Sequence, residues 1–286
     1  MREAFRQLAA SESREMNQNQ PDTAVPVLLG SIEPQTHLLR VPPDRQLLYK
    51  MMTVESLLRS MVGNYLHFNR VDSYGDFPGA DPHDGRQLPE DLPGNATAKF
   101  ENSPGYSAAD YYDQSRARTY ACCFSLENSD YVWDNYANGS PLGKVCVVFR
   151  FERLRAILNQ TLQPGDAALE YNGVRCHQIF SVNYGIVEYV DWDTYKANTE
   201  YRPNPIQYTY LKDKERFAEE NELRVSLSAL GIGHFVLRDR TRIEFPSSLQ
   251  LYFDFRAAIA DGTIQALLPS RDVQVNLLQR ELTGVG

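Results

Sequence analysis

This chain lacks the usual signatures of nucleotide and metal chemistry. It has no G-x-G-x-x-G and no P-loop, so the two commonest phosphate cradles are absent. No C-x-x-C occurs, and 5 His and 4 Cys in 286 residues leave no ligand set for a structural zinc ion, so no metal is expected. No apolar run approaches the ~20 residues that a membrane-spanning helix needs. Met1–Arg6 leads into no apolar signal core, so a cytoplasmic protein without a membrane partner is expected. Positive charge is in deficit. The 29 Lys and Arg stand against 37 Asp and Glu, a net charge of -8, which argues against a general grip on nucleic acid but leaves room for a local basic channel. Cys122, Cys123, Cys146 and Cys176 read as reduced, buried thiols.

Aromatic side chains are plentiful: 17 Tyr and 13 Phe in a chain that is 42% hydrophobic. Tyr joins apolar area to a polar tip, so it suits grooves as well as cores. Residues 1–36, polar and rich in Asn and Gln, read as a flexible or partner-dependent arm, with a short helix over Met1–Ala10. A single domain is expected over 37–286, interrupted by a long irregular insert at about 70–118. A loop of that length is functional or mobile, and its Asp, Gly and Tyr favour a lid or substrate-facing segment.

Around the insert the pattern is clear. His37–Val41 reads as a short extended run, and Leu47–Met51, Tyr65–Asn69, Thr119–Phe124 and Lys144–Arg150 read as strands. Thr53 caps a helix over 54–61 that stops at Gly63-Asn64, and Ser129 caps another through Tyr136. A short helix follows over 152–158. Cys176–Tyr189 reads as extended, with a bulge at Gly185. Pro203–Ala218 reads as mostly helical, and strands follow at 222–227, 234–237 and 249–253, with a terminal helix over Asp272–Glu281. The fold class expected is α+β: a mixed, mainly antiparallel central sheet with short peripheral helices, the sheet open to a split into two small sheets around a cleft.

The stretch richest in chemistry is Glu219-Glu220-Asn221-Glu222-Leu223-Arg224. Strand alternation places Glu222 and Arg224 on one face and Leu223 and Val225 on the other, with Glu220 at the entrance. Paired carboxylates at a strand end suit stabilisation of a sugar cation and positioning of a nucleophile. An exposed ion-pair ladder is the competing reading. His67, His177 and His234 read as exposed or satisfied, and the Asp81–Asp84 loop around His83 as solvated.

The order of segments resembles a bacterial family of unknown activity, domain of unknown function number 2971. The resemblance runs through Leu48-Tyr49-Lys50, Tyr65-Leu66-His67-Phe68, Phe124-Ser125, Trp133 with Tyr136, Gly143–Phe149, and Glu220, Glu222 and Arg224. It spans about residues 47–282. Where that family has Asn-Asp-Pro-Phe, this chain has Tyr74-Gly75-Asp76-Phe77-Pro78. A fainter resemblance is to ADP-ribosyltransferases, which hold NAD between two small sheets. They place an anchor on a first strand, an aromatic or Ser on the next, and E-x-E on a later one. Tyr49, then Phe68 or Ser125, then Glu220-Asn221-Glu222 is similar, although Tyr49 and Lys50 stand where those enzymes carry Arg or His.

That resemblance implies an enzyme using NAD as substrate, transferring ADP-ribose to a macromolecule (protein or nucleic acid) or to water, in a toxin or defence role. It implies Glu222 as the group that stabilises the ribosyl cation and Glu220 as the one that deprotonates the acceptor. Tyr49, Phe68 or Trp133 would stack on the dinucleotide, Lys50 or Arg70 would meet its pyrophosphate, and Ser125 and Arg224 would complete the site. The alternative is a non-catalytic adaptor that contacts a protein or nucleic acid through the insert and the N-terminal arm.

Overall fold

A computed structural model describes residues 32–76, 79–100, 103–162, 168–171, 174–177, 180–197, 204–229, 235–236, 242–243 and 246–270. Eight strands form one antiparallel sheet: β1 (Leu47–Thr53), β2 (Tyr65–Arg70), β3 (Thr119–Ser125), β4 (Lys144–Arg150), β5 (Phe180–Ile186), β6 (Glu222–Ala229), β7 (Ser248–Tyr252) and β8 (Ile264–Pro269). The helices are α1 (Val54–Gly63), α2 (Leu92–Thr97), α3 (Ala108–Arg116), α4 (Asp130–Asn135), α5 (Phe151–Thr161), α6 (Pro205–Tyr208), α7 (Lys214–Phe217) and α8 (Phe255–Ala260). The expected α+β class is what the chain adopts.

The sheet is forked. β6 pairs along all of β3, from Glu222 opposite Ser125 to Ser228 opposite Thr119, and so fills one edge of β3; β5 lies beyond β6. The other edge of β3 is shared. β2 joins it near one end (Asn69 opposite Ala121, Arg70 opposite Tyr120) and β1 at the other (Tyr49 opposite Ser125). From there β2 continues to β7, and β1 continues to β4 and β8. The cleft suggested by the sequence is thus a split between two arms of one sheet. α1 connects the arms; the Thr53 hydroxyl accepts the Ser56 N–H at its start, and Asn64, at φ 50°, ends it.

One face of the sheet carries the main core. Leu48, Leu66, Phe68, Tyr120, Phe124, Val147, Phe149, Leu223 and Val225 pack there against Leu57 of α1, Phe151 and Leu154 of α5, and Phe255 of α8. The opposite face is covered by the described parts of the insert and by residues 188–197 and 204–213. They share a second apolar cluster of Leu88, Tyr112, Trp192, Tyr208 and Leu211. The insert is therefore built from structured pieces rather than irregular chain. It holds a 3-10 turn at Val71–Asp76, α2, a hairpin of Lys99–Phe100 with Ser103–Ser107, and α3, whose capping box of Ser107 and Asp110 fixes its start.

Pro203–Ala218 also departs from the helical expectation. Among the described residues of this span only the single turns α6 and α7 are α-helical, a 3-10 turn starts at Ala218, and Leu211–Asp213 is a strand pairing in parallel with Glu188–Val190. Ile206, Tyr208, Tyr210 and Leu211 are all buried, Tyr208 and Leu211 in the second cluster and Tyr210 against the sheet at Asn183 and Ser226. Gly185 lies in unbroken register opposite Arg224, so no bulge forms there. Its missing Cβ lets the Tyr210 ring approach the strand closely, since a Cβ would meet that ring at 2.6 Å. Residues 32–40, partly assigned to the arm, dock on the edge of β5 through Ile32 O and Arg40 O. The extended reading of His37–Val41 gives way to turns. The sequence-predicted helices at 1–10 and 272–281 lie outside the described residues. Among the described residues no helix is long and apolar enough to cross a membrane.

Candidate functional site

A cavity of about 1000 Å³ opens where the arms of the sheet diverge. Its acidic end is built by three segments. β6 supplies Glu222 and, beneath it, Arg224; the turn preceding β6 supplies Glu220. The short parallel strand supplies Lys212, and the insert supplies Asp81 and Asp84. Asp84 reaches this position through a tight turn. The Asp81 carboxylate accepts the His83 N–H at 2.8 Å and Gly85 takes φ 69°, a conformation that favours glycine. The expectation of a solvated loop there is overturned: Asp81 and Asp84 are each 2% exposed, and His83 stacks on Trp192.

The ion-pair ladder is likewise not exposed. Glu220, Glu222, Lys212 and Arg224 are all buried. Arg224 donates from Nε to Glu222 Oε1 at 2.8 Å and from Nη2 to Glu222 Oε2 at 3.2 Å. Its Nη atoms also clamp both oxygens of Asp84, and Nη1 donates to Thr209 O at 2.7 Å. Lys212 Nζ lies 2.6 Å from Glu220 Oε2 and 2.9 Å from Glu222 Oε2. The Tyr136 hydroxyl donates to Glu220 Oε1. The Glu222 N–H donates to the Tyr189 hydroxyl at 2.9 Å.

These contacts drive the two glutamates apart in acidity. Burial alone would raise Glu222, but the charges of Arg224 and Lys212 hold it well below the usual carboxylate range. Burial raises Glu220, and the negative charge of Glu222 adds to this against the pull of Lys212. One carboxylate is thus fixed in its charged form while its neighbour is poised to exchange a proton, the division of labour that acid–base sites use. Burial opposes charge on Lys212 too, yet Glu222, Asp84 and Glu220 keep its ammonium well above its ordinary value. The Cys123 thiol, pushed up to about 12 by burial and by Glu222, stays protonated beside that carboxylate.

Not every expected ligand residue meets the cavity. Glu220, Glu222, Tyr49, Lys50 and Ser125 line it together. Lys50 occupies the fork itself, where Nζ donates to Cys123 O at 3.2 Å and sits over the Phe124 ring. Ser125 Oγ donates to Glu220 O at 2.9 Å, fixing the turn that carries that carboxylate. Phe68 points the other way, because the β2 alternation sends Leu66 and Phe68 into the core and Tyr65, His67 and Asn69 to the cavity. Arg70 pairs with Asp72 at 2.5 Å and Trp133 donates to Asn128 at 2.7 Å, and neither lines the cavity. Arg224 is fully buried behind Glu222, so it orients the carboxylate without facing the hollow.

The sequence reading passed over Lys212, Asp84 and Tyr136 as site residues. Asp84 and Tyr136 lie in stretches that the sequence singles out, the Asp81–Asp84 loop and the Trp133–Tyr136 segment, whereas Trp133 itself does not line the cavity. No protein-family model, curated protein or solved structure matches this chain.

Proposed function

We propose that the protein is a cytoplasmic enzyme that cleaves the nicotinamide–ribose bond of NAD and passes ADP-ribose to a macromolecular acceptor or to water, in the manner of ADP-ribosyltransferases. One observation carries this reading. Ser125 is the register partner of Tyr49 on one edge and of Glu222 on the other, so the three residues stand in one row across β1, β3 and β6. Directly opposed side chains lie about 5 Å apart, and all three line the cavity. An anchor, a serine and a glutamate from three strands thus converge on one floor, at the split of the sheet.

The chemistry follows from the charges. As the C1′–nitrogen bond breaks, its electron pair leaves with nicotinamide and positive charge develops on the ribose. Glu222, kept ionised by Arg224 and Lys212, faces that charge and accepts a hydrogen bond from the ribose 2′-hydroxyl, which strengthens as the charge grows. The ribose hydroxyl takes the place of the weak Cys123 thiol donor beside Glu222. Glu220 removes the proton of the incoming nucleophile. Tyr49 and Tyr65 wall the hollow for stacking. Such depletion or modification suits a toxin or a defence effector.

The test is release of nicotinamide from NAD. Glu222→Gln is expected to lower turnover by about 10²–10³-fold, the usual loss when one electrostatic stabiliser is removed, while NAD still binds. Wild-type protein that releases no nicotinamide with water, protein or nucleic acid as acceptor overturns the reading.

A further inference from the structure

The acidic end of the cavity is lined by four carboxyl side chains, Asp81, Asp84, Glu220 and Glu222, and by Lys212, with the Arg224 guanidinium buried behind them. Three of the four carboxyls are satisfied by those cations, with Tyr136 completing Glu220. Asp81 is the exception. It is 2% exposed, it lines the cavity, and its Oδ1 is occupied by the His83 N–H at 2.8 Å. Its Oδ2 has no hydrogen-bond partner among the described residues. A buried carboxyl oxygen without a donor is costly, and carboxyl groups in excess of cations add to that cost. Both deficits are met at once by a ligand that brings positive charge and an N–H donor.

We infer that this end of the cavity selects a flat organic cation bearing a carboxamide, the oxidised pyridinium ring of a dinucleotide, and that Asp81 is the residue that reads its charge. The inference rests on the proposed NAD chemistry and adds to it a recognition residue from the insert. Lys212 and Arg224 are already bound to Glu220, Glu222 and Asp84, so neither donates to Asp81 Oδ2, and Lys212 reaches Asp81 through its charge alone, against burial and the negative charge of Asp84. Among the described residues no group of three or more His, Cys, Asp or Glu is placed to hold a metal ion. The Tyr74 and Tyr136 side chains beside the acids supply aromatic surface, which attracts a planar cation. In this arrangement the carboxamide N–H donates to Asp81 Oδ2 while the ring charge lies against the carboxyl cluster. A reduced, neutral dihydropyridine ring has the same carboxamide but no charge to offer.

The probes are 1-methylnicotinamide, a cation, and nicotinamide, its neutral counterpart, titrated calorimetrically into the full-length protein. Wild type is expected to bind the cation about tenfold more tightly, because both probes carry the carboxamide donor and only the cation adds a charge that faces the carboxyl cluster. Asp81→Asn is expected to erase most of that preference and leave nicotinamide affinity within about twofold. NAD against NADH is expected to follow the same pattern in both proteins. Equal affinity of wild type for the two probes, or binding of neither, overturns the inference, as does an unchanged preference in Asp81→Asn. If the variant fails to fold, the wild-type ratio decides alone. A clear cation preference in a protein that never cleaves NAD leaves this inference standing and removes the proposed reaction. NAD cleavage without a cation preference does the reverse.

Discussion

Replacing Arg224 with methionine tests whether the acidic end is held by one buried guanidinium. Arg224 has no exposure and gives hydrogen bonds to both oxygens of Glu222, to both oxygens of Asp84 and to Thr209 O. Methionine has similar length and leaves little void, so the loss is electrostatic. Glu222 keeps Lys212, whereas the side chain of Asp84 has no second salt-bridge partner among the described residues. Removing one partner of a buried ion pair costs about 3–5 kcal/mol, since the survivor stays charged in a poor solvent. That is a large share of the 5–15 kcal/mol typical of a folded domain. It corresponds to a fall in Tm of roughly 6–20 °C. Urea denaturation of Arg224→Met and of the double variant Asp84→Asn/Arg224→Met forms the assay. The double variant lacks the orphaned charge and is expected to recover about 1–2 kcal/mol, within the range of coupling between contacting residues. A single variant within about 1 kcal/mol of wild type, or a double variant no better than the single, refutes this account of the site.

Two further predictions concern titration and packing. Glu220 must be ionised to act as a base, and its carboxyl is raised above the ordinary value of 4.5, so NAD turnover should fall on the acid side at a pH above that value. Tyr136→Phe removes a hydrogen bond that favours the ionised form, so the acid limb should move to still higher pH. A pH–rate profile checks both, and a limb that stays in place in Tyr136→Phe counts against Glu220 as the base. Because folding raises the Glu220 value, its contribution to stability is complete below 4.5 and is lost as pH rises through the folded value. Gly185→Ala should cost about 1–3 kcal/mol in urea denaturation, because the added Cβ meets the Tyr210 ring at 2.6 Å. Combination with Tyr210→Ala should add little further loss if that contact is the cause.

β1 and β2 were legible in the sequence from alternation, because their faces differ, and β3 and β4 from runs of small, aromatic and aliphatic residues that are buried on both faces. β1, β2, β3 and β4 lie within two residues of the expected bounds, and Thr53 and Ser129 cap the helices assigned to them. What alternation alone does not reveal is which layer covers a face. Phe68 and Tyr65 are both aromatic on one strand, and only the packing of α1 and α8 decides that Phe68 goes inward. The acids of β6 posed the same problem in reverse. An E-x-E-x-R run reads equally as a solvated face until a second layer is known to bury it. That layer comes from residues 80–100, 103–118, 188–197 and 204–213, whose own pattern is weak because each of their elements is short. Their contacts with the sheet span long separations, such as the 140 positions between Asp84 and Arg224, and local periodicity carries no record of such a pair. α8 and β8 were missed although Asp254 caps the helix and Gly262, at φ 76°, follows its end.

The branching of the sheet also sets where the molecule yields. β1 and β4 are zipped by seven partner pairs from Leu47–Arg150 to Thr53–Lys144, whereas β1 meets β3 at the single pair Tyr49–Ser125 and β2 meets β3 at two. Prying the limbs apart breaks few ladder bonds, and prying apart either limb breaks many. Within the sheet, the junction at the crevice is thus held by the fewest ladder pairs, although both limbs share one apolar core on the other face. Amide exchange at the junction residues should outpace exchange in the middle of β4, and a bound guest should slow it there first.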